Sequence, residues 1–202
     1  MAKTMSPSET ITAGQIGKIQ EILGAALRKS NLQSNPTQQV LETQGDVLAT
    51  ELVVVILKRV EAVSNIIIRC VSVNRDHSPQ GILDATSRKQ YTNSDVVAAM
   101  PKGKGGKAEV VFFKLGHYVS DNDLEKEYEL RGLKPADSYS IAAINEVDPT
   151  FADEHPNTTH WKDTNGNWCY IGFRRWNDRR YVYVYRRAYN WYDSWWFAGL
   201  RK

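Results

Sequence analysis

Apolar residues recur at helical spacing between Ile11 and Leu32, through Ile16, Ile19, Ile22, Leu23, Ala26 and Leu27, with Thr12 placed as an N-cap. "SNLQSNP" (Ser30 to Pro36) breaks this helix. A short helix over Gln38 to Thr43 stops near Gly45. Asp46 then caps a longer, strongly apolar helix from Val47 to about Val63. The pattern predicts a flexible N-terminus over residues 1–10 and a hairpin-like helical subdomain over residues 11–64.

At "NIIIRCVSVN" (Asn65 to Asn74) β-branched residues dominate and the period falls towards two, which predicts a strand. Two short helices follow, one capped by Ser78 with Pro79 in its first turn, the other capped by Ser94 and ended by Pro101. "KGKGGK" (Lys102 to Lys107) reads as a flexible basic loop, and "EVVFFKL" (Glu109 to Leu115) as a second strand. "SDNDLEKEYELRG" has a serine cap, acids in its first turn and a glycine just past its end, which specifies a helix. Another short helix is predicted from about Asp137 to Asn145. "DPTFADEHPNTT" reads as a loop on composition, and strands fill most of the rest. The element order predicts an α+β fold over residues 65–202, with a mainly antiparallel sheet and C-terminal aromatic-rich hairpins.

The C-terminal pattern is specific enough to give a register. "WKDTNGNW" carries an Asn-Gly turn, and "WNDR" supplies a two-residue loop at Asn177-Asp178. Pairing across that loop sets Trp176 opposite Arg179, Arg174 opposite Tyr181, Gly172 opposite Tyr183, Tyr170 opposite Tyr185 and Trp168 opposite Arg187. Alternation then gathers all of these on one face. The other face takes Cys169, Ile171, Phe173, Val182 and Val184, with arginines at its end. One face is thus aliphatic at its centre and the other a lattice of rings and guanidinium groups.

Composition changes this picture little. The 202 residues are 42% hydrophobic and 24% charged, ordinary for a globular chain. No apolar run approaches the roughly 20 residues of a membrane helix, and the N-terminus lacks a signal-peptide core. Cys70 and Cys169 each lie in an apolar strand-like run and read as buried free thiols. A cytoplasmic protein without a membrane partner is the expectation.

Charge changes it more. The net charge is only +3, yet residues 161–202 hold nine Lys or Arg against three Asp, a net +6. Residues 121–160 hold ten acids against three bases, a net −7. The two segments either face each other within the fold, or the basic one meets an anionic partner.

Candidate chemistry is sparse. "DEHPNTTH" brings Asp153, Glu154, His155 and His160 close in sequence, and His155, His160 and Asp153 are weak candidates for a metal site. Their spacing fits no specific motif. "GKGGKA" lacks the spacing of a phosphate loop and precedes a strand. The chain has no GxSxG, CxxC or dinucleotide fingerprint, so no cofactor is predicted. "PTQQVLETQGDVLATELVVVI" has the outline of a helix–turn–helix, but its second helix is apolar where base-reading side chains belong. A core helix, or a helix through which copies of the chain associate, accounts better for it.

The function expected from sequence is a non-enzymatic binding protein. Arg174, Arg179 and Arg187 would contact the phosphates of a nucleic acid or another anion, including an acidic protein. Trp168, Tyr170, Trp176, Tyr181, Tyr183 and Tyr185 would offer stacking surface. Two alternatives stand beside it. One is a hydrolase-type enzyme with a His/carboxylate cleft between the acidic helical segment and the basic sheet. The other is a protein-interaction module using the same aromatic face. All depend on whether "YNWYDSWWF" folds back over that face.

Overall fold

A computed structural model describes residues 11–188 and 190–202, apart from the side chains of residues 58 and 61–63. The flexible segment expected over residues 1–10 lies outside them. The chain divides into two compact units between Val63 and Ser64.

The first unit is helical. Helix α1 spans Ala13–Arg28 and opens with a capping box, in which Thr12 and Gln15 exchange hydrogen bonds. Helix α2 spans Ser34–Ser64 and leaves helical geometry only at Gln44, beside Gly45. The helix–turn–helix outline is therefore absent, because the break is a kink and not a turn. The expectation of a core helix also fails, since Val47, Val53, Val55 and Leu57 are all exposed.

The second unit is α+β. It comprises β1 (Ile66–Ser72), α3 (Pro79–Ala85), β2 (Lys89–Thr92), α4 (Ser94–Ala98), β3 (Lys107–Lys114), β4 (Val119–Ser120), α5 (Asp121–Leu130), β5 (Leu133–Pro135), α6 (Ser138–Val147), α7 (Phe151–Glu154), β6 (Asn157–Lys162), β7 (Trp168–Trp176), β8 (Arg179–Arg186), β9 (Asn190–Trp191) and β10 (Trp196–Arg201). The main sheet runs β1-β3-β10-β6-β7-β8-β2, with β5 also paired to β10, and β4 with β9 makes a separate two-stranded ribbon. Pairing is antiparallel except at β10–β6 and β2–β8.

Helices α3, α4, α6 and α7 contribute to the core on one side of the sheet. There Leu83, Val96, Ile141 and Phe151 close over Ile67, Ile171, Phe173, Val182 and Val184. A second core on the other side joins Phe113, Leu124, Tyr128, Leu133, Trp191, Trp195 and Phe197. The aliphatic side of the β7–β8 hairpin thus lies in the first core.

Several local expectations change. Asn93, not Ser94, caps α4, its carboxamide oxygen accepting from the amides of Asp95 and Val96. Asparagine is as good a cap as serine, and here it sits one residue earlier. The stretch read as a loop from Asp148 contains helix α7 and the start of β6. Its polar side chains are satisfied internally: Asn145 donates to Asn157 at 2.8 Å, and Thr159 Oγ1 donates to the Ala136 carbonyl at 2.8 Å. Cys169 is buried as expected, but Cys70 is exposed on the outer side of β1. The "KGKGGK" loop is pinned. Arg75 donates to the carbonyls of Lys102 and Gly105 while its guanidinium meets Asp137 at 2.8 Å. Gly103, at φ +68°, leaves no room for a Cβ beside that carboxylate.

Candidate functional site

The β7–β8 hairpin has the register expected from its loop. Trp176 pairs with Arg179, Arg174 with Tyr181, Gly172 with Tyr183 and Tyr170 with Tyr185. Beyond them the Arg187 amide donates to the Trp168 carbonyl. Asn177 and Asp178 both take positive φ, as a two-residue hairpin turn of this hand requires.

The tail covers one half of the aromatic face. Trp191 and Trp195 are 1% and 7% exposed. Trp191 meets Tyr170 edge-on at 5.3 Å, and the Trp195 ring lies 3.3 Å from where a Gly172 Cβ would stand. Glycine at 172 is what lets the indole settle on the strand. Tyr170 is accordingly buried, at 8% exposure. Trp168 is half-buried, its ring stacked on His160 at 4.5 Å with the Lys162 ammonium against it.

The other half is open. Trp176 is 56% exposed with the Arg174 guanidinium 4.6 Å from its ring centroid. Tyr181, Tyr183 and Tyr185 are half-buried. Strand β2 adds a ring that the sequence reading missed. Tyr91 pairs with Tyr183, stacks on it at 5.7 Å with planes 12° apart, and lies 5.6 Å from Tyr181. Lys89 stands 5.5 Å from the Tyr91 ring. The alternation in "RKQYT" was the available signal, but a four-residue strand with a parallel partner far along the chain gives little else to recognise.

Between the covered and open halves lies a cavity of about 360 Å³, lined by Tyr170, Arg174, Tyr183, Tyr185, Arg187 and Trp195 among others. Desolvation raises the pKa of the Tyr183 phenol, which keeps it neutral and able to donate a hydrogen bond. A second, wider depression of about 490 Å³ lies at the hairpin end, where Lys89, Arg175, Arg179 and Arg180 converge with Ser87 and Asp178.

The arginines divide into two sets. Arg180 grips Asp153 through two nitrogens, at 2.9 and 2.7 Å, and this pairing holds the Asp153 carboxyl below its usual range. Arg175 meets Asp178 at 2.8 Å, and Arg186 meets Asp163 at 2.6 Å. The acidic and basic segments therefore do face each other in part, through Asp153. Arg174 and Arg179 make no ion pair among the described residues, and both project from the open half.

The candidate metal residues Asp153, His155 and His160 do not converge. His155 stacks on Phe151 and meets Trp196 edge-on. His160 is buried between Asp121, 2.8 Å from Nδ1, and Glu125, 2.9 Å from Nε2. Asp121 also accepts from the Trp191 indole at 2.9 Å, which ties the tail to α5. A carboxylate oxygen faces each ring nitrogen, an arrangement that favours the doubly protonated ring, in which both nitrogens donate. Burial works against that charge, but the hydrogen bonds and attraction of the two carboxylates outweigh it, and the His160 pKa stands above its ordinary value. Asp153, His155 and His160 thus have separate partners. Among the described residues no group of three or more His, Cys, Asp and Glu side chains could hold a metal ion.

No protein-family model, curated protein or solved structure matches the chain. Among the described residues no helix is long and apolar enough to cross a membrane. The geometry itself defines the class: an α+β protein with an aromatic-rich sheet face, part roofed by its own tail and part open.

Proposed function

We propose that the protein is a non-enzymatic binding protein whose open half-face takes single-stranded nucleic acid. One observation carries this reading: exposed Trp176 and Tyr91 and half-buried Tyr181 and Tyr183 form a run of rings flanked by Arg174 and Arg179, two cations without carboxylate partners among the described residues. Stacked rings accept any base by its π-face, and unpaired guanidinium groups supply the charge a phosphate backbone seeks. From Tyr185 to Arg179 the face runs on the order of 20 Å along β8, room for a few nucleotides. The rings need unstacked bases, so single strands are preferred to duplex. The tail limits the platform, and Trp168 and Tyr170 contribute from beneath or beside it and not as open stacking surfaces.

The test is fluorescence anisotropy of labelled mixed-sequence oligonucleotides across a salt series. Affinity should fall with salt. Arg174→Ala and Arg179→Ala should each lower the slope by about one. Tyr91→Ala and Tyr181→Ala should weaken binding by about 5- to 150-fold, the range for loss of one base–ring stack. Affinity indifferent to salt and to both tyrosines would reject this reading.

A further inference from the structure

We infer that α2 is a self-association element: two copies of the chain pair through it, antiparallel, about a two-fold axis near Val53. Among the described residues, fourteen large aliphatic side chains between Ile11 and Val60 are exposed, and α1 buries none of its residues. The run Leu52–Leu57 carries exposed Val53, Val54 and Val55 in succession, so apolar surface passes right round the helix. A helix apolar on every side belongs inside an assembly, since most helix stability in water comes from packing.

Area and charge both point to a second copy as the occupant. The exposed side chains leave on the order of 600 Å² of apolar surface per chain, at about half burial value for each. A standard interface removes roughly 800 Å² per partner, so the open apolar surface is of that order, and an α2 seam through Val53, Leu57 and Val60 covers the part of it nearest the axis. Charge then sets the direction. Glu42, Asp46 and Glu51 precede the apolar run, and Lys58, Arg59 and Glu61 follow it, so the leading end is net −3 and the trailing end net +1. An antiparallel pair sets the acidic end of each helix against the basic end of the other, whereas a parallel pair would set like against like. These same charges confine the uninterrupted apolar run to six residues, far below the roughly 20 that a bilayer requires. The inference is independent of the sheet face and of any nucleic acid.

Sedimentation equilibrium of the full chain tests it. The expected species has twice the 23.0 kDa chain mass. The double variant Val53→Lys, Leu57→Lys keeps good helix formers in place while inserting charge at the seam, since residues four apart share one helix face. It should weaken self-association by at least about thirtyfold. All six tryptophans lie beyond Ser64, so an unchanged emission spectrum certifies that the second unit is intact in the variant. Direction is read by disulfide trapping in a Cys70→Ser background, which removes the exposed thiol. Val53→Cys should cross-link to its copy, and Val60→Cys should not, because seven residues from the axis place the two cysteines about 20 Å apart. A chain that stays monomeric at every concentration, or a dimer indifferent to the double lysine variant, overturns the inference. Equal cross-linking at both positions overturns its antiparallel form.

Discussion

His160 offers the sharpest test of how the second unit is held together. Its ring is 1% exposed, lies between Asp121 and Glu125, and through Asp121 is joined to the Trp191 indole. His160→Ala removes a buried cation and leaves Asp121 buried with one charge partner gone. Breaking a buried pair costs about 3–5 kcal/mol, and the lower end applies because Glu125 is 44% exposed and regains water. About 3 kcal/mol corresponds to a fall of about 10 °C in Tm for a unit of this size. The effect depends on pH in a defined direction. A histidine pKa raised on folding gives stabilisation that is complete below the ordinary value of 6.5 and is lost as pH rises through the folded value. Glu125 behaves oppositely. Its hydrogen bond from His160 lowers its pKa, so its contribution is present above the ordinary 4.5 and is lost as pH falls. Urea unfolding followed by tryptophan emission, from about pH 6 to about pH 9, should show the native protein losing stability and the variant's deficit shrinking. A deficit of the same size at both ends of that range would refute the charge assignment.

Three further outcomes follow from close contacts and turns. Gly172→Ala pushes a methyl to 3.3 Å from the Trp195 ring and should cost about 1 kcal/mol, seen as a lower denaturation midpoint and a red-shifted emission as the tail lifts. Gly103→Ala meets the Asp137 carboxylate at φ +68° and should cost about 3 kcal/mol, combining left-handed strain with overpacking, measured by calorimetry. Asp178→Gly relieves a positive φ of 59° at the hairpin loop and should raise Tm slightly; a fall would show that the Arg175–Asp178 pair outweighs the strain.

Much of the architecture is legible in the residues. The Asn177-Asp178 loop fixes the hairpin register, because a two-residue turn leaves one pairing and alternation does the rest. Ser78 and Ser120 cap α3 and α5 as expected, and Asp137, expected as the start of α6, proves to be its cap, each side chain accepting from an amide of the first turn. What local patterns could not convey is long-range. Tyr91 reaches the aromatic face only through a strand paired some ninety positions away. His160 finds Asp121 and Glu125 39 and 35 residues earlier, on a helix whose acids look like ordinary first-turn charges. Polar Asn157, Thr158 and Thr159 suggest a loop, yet each is buried with a hydrogen-bond partner, a satisfaction no composition rule can foresee. Coverage of the face was legible in outline, because the rings of the tail need a surface to pack on, but its extent was not. It depends on one glycine giving Trp195 a seat, and on an indole hydrogen bond that holds Trp191 to α5.

The position of β10 has a kinetic consequence. It lies between β3 and β6, so the middle of the sheet joins segments separated by more than eighty residues on one side and nearly forty on the other. The β7–β8 hairpin closes a two-residue loop and can form on the order of microseconds. Docking of β10 must wait for large loops to close, which places refolding of this unit on the millisecond-to-second scale. During that wait β3 and β6 each present an unpaired edge to other chains. Aggregation on refolding is therefore set by how fast one short strand finds its slot, and a chain diluted from denaturant should be rescued by low protein concentration more than by added stability elsewhere.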